Sequence, residues 1–129
     1  MTFEVRGNQL YKNGKAIKII SGVVHYFRNM HDTWSDIFRK LSAPGCNCVE
    51  TYCAWNMHEK SRENIALIDI GYCGFYKKAA DERLMVIVRS EPYICAEWGG
   101  RLLWWIQTDT NMEICCSNPA YINCFERYL

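Results

Sequence analysis

The sequence predicts an α/β fold built around a parallel sheet, and three observations carry that expectation. Two amphipathic helical patterns alternate with short apolar runs, each segment having the length that a βαβ unit uses. The run at residues 84–88 is continuously apolar and rich in β-branched side chains, the mark of a strand buried on both faces by flanking helices. Size agrees with both: 129 residues, half of them apolar and 14% aromatic, can bury one core and form one ordinary domain. A chain so rich in large rings does not read as disordered.

The elements follow in chain order. The opening segment FEVRGNQLYKNGKAIKI alternates in polarity and is broken by Asn13-Gly14, a dipeptide that tolerates the positive φ of a two-residue turn, so residues 1–16 read as a β-hairpin. A strand is expected over residues 17–26, interrupted by Ser21 and Gly22. Trp34, Ile37, Phe38 and Leu41 then fall at i, i+3, i+4 and i+7, placing four apolar side chains on one helical face. Thr33 and Asp36 have capping-box spacing, and Pro44-Gly45 ends the pattern. Residues 46–55 read as a strand with Glu50 inside it, and Tyr72, Phe75, Tyr76 and Ala79 repeat the helical spacing. Gly74 lies within that second helix, at a cost of about 1 kcal/mol relative to Ala. Beyond Trp104 the pattern is less clear, except that Asn118-Pro119 can open a third helix with Pro in its first turn. No internal repeat, low-complexity segment or Ser/Pro-rich linker divides the chain.

Composition excludes several classes. With 15 Lys and Arg against 14 Asp and Glu, spread without blocks, the chain lacks the basic footprint that nucleic acid or an anionic membrane surface requires. The longest apolar runs, about five residues, are far below the roughly 20 that span a bilayer. The start MTFEVRGNQL carries charges at Glu4 and Arg6 where a secretory leader needs an apolar stretch, so the chain as written reads as cytoplasmic. Eight cysteines would suggest a disulfide scaffold in a secreted chain, but Cys46, Cys48, Cys73 and Cys95 lie in apolar or helical patterns that suit a small free hydrophobe. Zinc needs paired ligands such as C-x-x-C; only C-x-C at Cys46 and Cys48 and the adjacent Cys115 and Cys116 occur, so no metal site and no cofactor are expected.

In parallel α/β folds the site lies at the carboxyl ends of the strands, which directs attention to the polar residues after each apolar run. Three clusters qualify: His25 to Arg28, Glu50 to Tyr52 with Trp55, Asn56, His58 and Glu59, and Tyr93 with Glu97 and Trp98. Glu, Tyr, Asn and Trp together suit a sugar, because carboxylates and phenols bond hydroxyls while an indole covers the apolar face of a pyranose. Each residue also has a plain structural role open to it, since buried Tyr and Trp are more often core and a lone His is more often a satisfied scaffold residue.

Longer strings sharpen this. IISGVVHYFR at residues 19–28, VETYCAWNMHE at residues 49–59 and PYICAEW at residues 92–98 closely resemble, in order and at similar spacing, the signatures of glycoside hydrolase family 35 β-galactosidases. Weaker similarity continues through Gly99-Gly100, Trp104 and SNPAY at residues 117–121, so nearly the whole chain is covered. The resemblance implies the amino-terminal portion of a (β/α)8 TIM barrel, about three of its eight parallel strands, preceded by the hairpin. Residues 1–129 would then be part of the catalytic domain, with 17–129 forming the first βα units.

The resemblance further implies a galactoside substrate, with Tyr52, Cys95, Ala96 and Glu97 in its binding pocket. Tyr52 matches a galactose-contacting tyrosine, Glu97 the carboxylate of an A-E-W motif that bonds sugar hydroxyls, and Cys95 and Ala96 positions that offer main-chain contacts. His25 and His58 match positions that shape the barrel mouth, and Glu97 matches a binding rather than a catalytic carboxylate. The family acid/base lies in an E-N-E-Y-G-like motif after the fourth strand and the nucleophile after a later one. Neither motif occurs in these 129 residues, so no catalytic residue is assigned and the chain alone is expected to be inactive and marginally folded. Two other functions remain: a galactose-binding pseudoenzyme without catalysis, and a cysteine-dependent metal or redox protein.

Overall fold

A computed structural model describes residues 2–61, 64–65, 72–90, 93–94, 104–114 and 116–128. Strands β1 (Phe3–Arg6), β2 (Gln9–Lys12) and β3 (Lys15–Ile17) form an antiparallel meander. Its second turn is the expected one, with Asn13 at φ 50° and Gly14 at φ 76°, both in the left-handed region that a tight hairpin turn demands. The Asn13 N–H donates to the Thr2 carbonyl at 3.0 Å and its Oδ1 accepts from the Thr2 N–H at 3.0 Å, locking the turn to the end of β1. The expected hairpin thus gains a strand, because Gly7 at φ 60° makes a first turn that the alternation alone did not separate.

The second sheet is parallel. After β4 (Ser21–Val23) the chain runs through short 3-10 turns at Tyr26–Arg28 and His31–Thr33 into α1 (Trp34–Ser42) and then β5 (Cys48–Tyr52). Helix α2 (Trp55–His58) and the small antiparallel pair β6 (Glu59–Ser61) and β7 (Asn64–Ile65) follow, then α3 (Tyr72–Asp81) and β8 (Met85–Arg89). The sheet order is β4-β5-β8, with Val23, Glu50 and Ile87 in register across it and Tyr52 opposite Arg89. Helices α1 and α3 pack on one face, where Trp34, Phe38, Phe75, Ala79, Val49 and Leu84 form the main core with Tyr26. Phe75 is its centre: Phe38 meets it edge-on at 5.0 Å between ring centroids and Trp34 at 5.3 Å. That geometry suits the positive edge and negative face of aromatic rings.

One glycine explains how closely the layers approach. A Cβ at Gly22 would lie 2.1 Å from Leu41 Cδ1, so the absent side chain is what lets α1 settle on β4. The sequence reading treated Ser21-Gly22 as an interruption of a long strand; instead β3 ends at Ile17, β4 begins at Ser21, and Gly22 is its middle residue. Within α3, a Cβ at Gly74 would make only ordinary contact with Trp34 Cζ3, at 3.6 Å, so the packing there does not demand glycine.

Asn47 joins the two sheets. Its Nδ2 donates to the Lys18 carbonyl at 2.8 Å, its Oδ1 accepts from the Ile20 N–H at 2.9 Å, and its own N–H and carbonyl bond Ile20 and Met85. The side-chain amide acts here as an extra peptide unit that prolongs the parallel ladder.

Three smaller expectations are corrected or completed. Thr33 does not cap α1: its Oγ1 donates to the Met30 carbonyl at 2.7 Å inside the 3-10 turn, while Asp36 pairs with Lys40 at 2.7 Å one helical turn on. Cys73 is exposed on α3 rather than buried, whereas Cys48 and Cys53 are buried; the six described cysteines are free thiols, and Cys95 and Cys115 lie outside the described residues. After the short α4 (Trp104–Gln107), α5 (Pro119–Tyr128) begins at the expected proline. Asn118 Oδ1 accepts from the Ala120 N–H at 3.0 Å, a side-chain cap with Pro at the first helical position. Among the described residues no helix is long and apolar enough to cross a membrane.

Candidate functional site

Alternation along β5 decides what faces what. Val49 joins the core beneath the helices, so its neighbours Cys48, Glu50 and Tyr52 belong to the opposite sheet face, with Tyr52 last in the strand. Register then sets Arg89 beside Tyr52, and the Arg89 guanidinium carbon lies 4.1 Å from the centroid of the Tyr52 ring. Arg89 Nη1 is 3.3 Å from Glu50 Oε1, so a carboxylate two residues before Tyr52 anchors the cation that covers it. The Arg89 carbonyl accepts from the Cys53 N–H at 2.9 Å, which extends the ladder past Tyr52.

His25, from the segment after β4, completes this group. Its Nδ1 accepts from the Tyr52 N–H at 3.4 Å, and its ring lies parallel to Phe27 at 5.1 Å and tilted against Tyr52 at 5.4 Å. Burial, with the positive charges of Arg28 and Arg89, pushes the His25 pKa below its usual value, against a smaller opposing effect of Glu50. The neutral ring is the form that can accept a hydrogen bond at Nδ1.

Behind this lies a buried polar layer. The Tyr26 hydroxyl accepts from the Ala54 N–H at 3.0 Å and bonds His58 Nε2 at 2.6 Å, and His58 is wholly buried. Glu59 is also wholly buried; Trp55 Nε1 donates to its Oε2 at 2.6 Å, and Arg127 of α5 donates to its Oε1. A carboxyl group taken out of water needs such partners, and through them Glu59 ties the segment after β5 to α5. The structural role expected for His58 is consistent with this arrangement.

Of the substrate-binding residues expected from the sequence, Tyr52 stands at the carboxyl end of β5, 5% exposed. Cys95, Ala96 and Glu97 lie outside the described residues, but Ile94, immediately before them, is buried in one apolar cluster with Tyr52 and Ala54. The sequence reading missed Arg89. It was legible only as the residue closing an apolar run, since nothing in the sequence states the register that sets it against Tyr52. The Glu59–Arg127 pair, 68 residues apart, left no local signal.

Among the described residues no group of three or more His, Cys, Asp or Glu side chains could hold a metal ion. A groove of about 560 Å³ opens along α3 and β8, lined by Tyr76, Ala80, Leu84, Val86 and Val88 among others. Its lining includes none of the Tyr52, Arg89 and His25 group, and its apolar walls offer few polar contacts to a sugar.

The arrangement is that of a parallel α/β domain with an aromatic, charge-bearing site at its strand ends. Residues 9–129 match the family described as glycosyl hydrolases family 35, and the chain belongs to that family. It is 36% identical over 133 residues to a β-galactosidase of Bos taurus, 33% over 130 residues to one of Xanthomonas manihotis, and 31% over 129 residues to β-galactosidase 17 of Arabidopsis thaliana. These alignments cover 98–99% of this chain and 18–22% of the relatives, so the chain spans about a fifth of the length of the curated relatives it matches.

Proposed function

We propose that the chain is the amino-terminal part of the catalytic domain of a β-galactosidase, and that its strand ends form one wall of a pocket for a terminal β-linked galactose. In this reading residues 17–129 supply the first βα units of a (β/α)8 barrel, and the meander precedes them. Tyr52, Cys95, Ala96 and Glu97 bind the sugar. The observation that carries the proposal is Tyr52, which ends a parallel strand beside a cation and a neutral imidazole and packs with Ile94, the residue leading into Cys95-Ala96-Glu97. The names of the relatives support the substrate class.

Retaining hydrolysis needs an acid/base and a nucleophile roughly 5–5.5 Å apart, one of them able to hold or release a proton at working pH. Glu50 is paired with Arg89 and the wholly buried Glu59 with Arg127 and Trp55, so this reading gives both a structural role. The described wall therefore binds and orients, and the chemistry belongs to carboxylates elsewhere in a complete family member.

Calorimetry of the 129-residue chain with galactose is the direct test, alongside an assay on a chromogenic β-galactoside. Saturable binding lost in Tyr52→Phe and in Glu97→Gln, without turnover, is the expected result. Absence of galactose binding would sink the pocket, and turnover abolished by Glu97→Gln would make that residue catalytic instead.

A further inference from the structure

Two tyrosines stand at the strand ends, and their hydroxyls are treated in opposite ways. Tyr26 is held by its oxygen, which bonds both the Ala54 N–H and His58 Nε2. Tyr52 is equally buried, yet among the described residues its hydroxyl takes part in no hydrogen bond; its chain contacts are made by its backbone and by the faces and edges of its ring. A ring held by its faces keeps the donor and acceptor capacity of its hydroxyl for something outside the chain.

The strongest of those contacts is Arg89. A planar guanidinium stacks on a phenol ring as an ammonium cannot, and here it is 4.1 Å from the ring centroid while Glu50 fixes its outer edge at 3.3 Å. We propose that Arg89 is a positioning residue: braced by Glu50, it sets the orientation in which the Tyr52 hydroxyl meets a hydroxyl of the sugar. The role rests on the reading that Tyr52 contacts galactose, and it adds a residue that acts on the ligand only through another side chain. Arg89 ends β8 and Tyr52 ends β5, so the same contact also keeps two strand ends at a fixed spacing.

The test uses the 129-residue chain with 13C-labelled tyrosine rings, the Tyr52 signal being assigned by its loss in Tyr52→Phe. Arg89→Met keeps the length of the side chain and removes the stacked cation. It is expected to move or broaden the Tyr52 ring signal and to weaken galactose binding by roughly 3- to 30-fold, the range that a partly buried cation–π contact spans. Arg89→Lys should recover only part of both effects, and Glu50→Gln should shift them in the same direction by less. An unchanged ring signal with unchanged affinity in Arg89→Met would overturn the role. If the unaltered chain binds no galactose, the pocket fails as a sugar site while the ring signal still decides whether Arg89 orients Tyr52. If Arg89→Met does not fold, Arg89→Lys and Glu50→Gln carry the comparison, and a Tyr52 signal indifferent to both would equally overturn it.

Discussion

The meander and the parallel sheet hold their strands by different means. Every residue of β1 is exposed, with Val5 at 76%, whereas four of the five residues of β5 are buried. The meander is kept by turn chemistry, cross-strand pairing and local contacts such as the Glu4–Arg6 ion pair, which at this exposure adds little. The parallel sheet is kept by apolar area removed from water beneath α1 and α3. The candidate site rests on the second kind of support, where neighbouring strand ends hold the Tyr52 ring against the Arg89 guanidinium.

Three substitutions sharpen that contrast. Phe75→Ala removes the ring on which Phe38 and Trp34 converge and should cost about 3–5 kcal/mol of unfolding free energy in urea, with α1 and α3 lost together. A meander supported by the same core would fail at the same midpoint, and one supported by its turns would keep part of its amide protection. Gly22→Ala drives a methyl into Leu41 and should cost about 1–3 kcal/mol. In a Leu41→Ala background the penalty should shrink by more than half, and a double-mutant cycle showing independent effects would disprove the close-approach argument. Gly14→Ala changes only the meander: at φ 76° an L-residue is strained by about 1 kcal/mol, and the loss should appear in amide exchange of β2 and β3 while the parallel sheet is unmoved.

The i, i+3, i+4, i+7 pattern from Trp34 to Leu41 is a direct imprint of burial, and helix α1 lies where it was expected. The apolar run at residues 84–88 does lead into a strand of the parallel sheet, but not one buried on both faces: Leu84 is buried, the residues of β8 are only half-buried and Val88 is 41% exposed, with α1 and α3 packed on one face. Strand β4 was harder, since its middle residue is a glycine chosen for what docks on it, a constraint that reads as a break when only the chain itself is inspected. The apparent capping box failed for a related reason: spacing shows which groups can meet, but Lys40 and Met30 compete for the same two side chains. In the candidate site, the position of Tyr52 at the end of its strand was legible along the chain. Arg89 over its ring and Arg127 against Glu59 are products of register and tertiary packing, which no periodicity along the chain encodes.

Asn47 gives the joint between these regions a mechanical character. One carboxamide grips the linker at Lys18 and at Ile20, the residue before β4, while the backbone of the same residue reaches Met85 at the start of β8. A connection of three residues between β3 and β4 could swing like a free arm; with Asn47 in place it is stiffened at two points along its length. Replacing that amide by a side chain without both a donor and an acceptor would turn a fixed elbow into a swivel, and leave the meander tumbling apart from the sheet that it abuts.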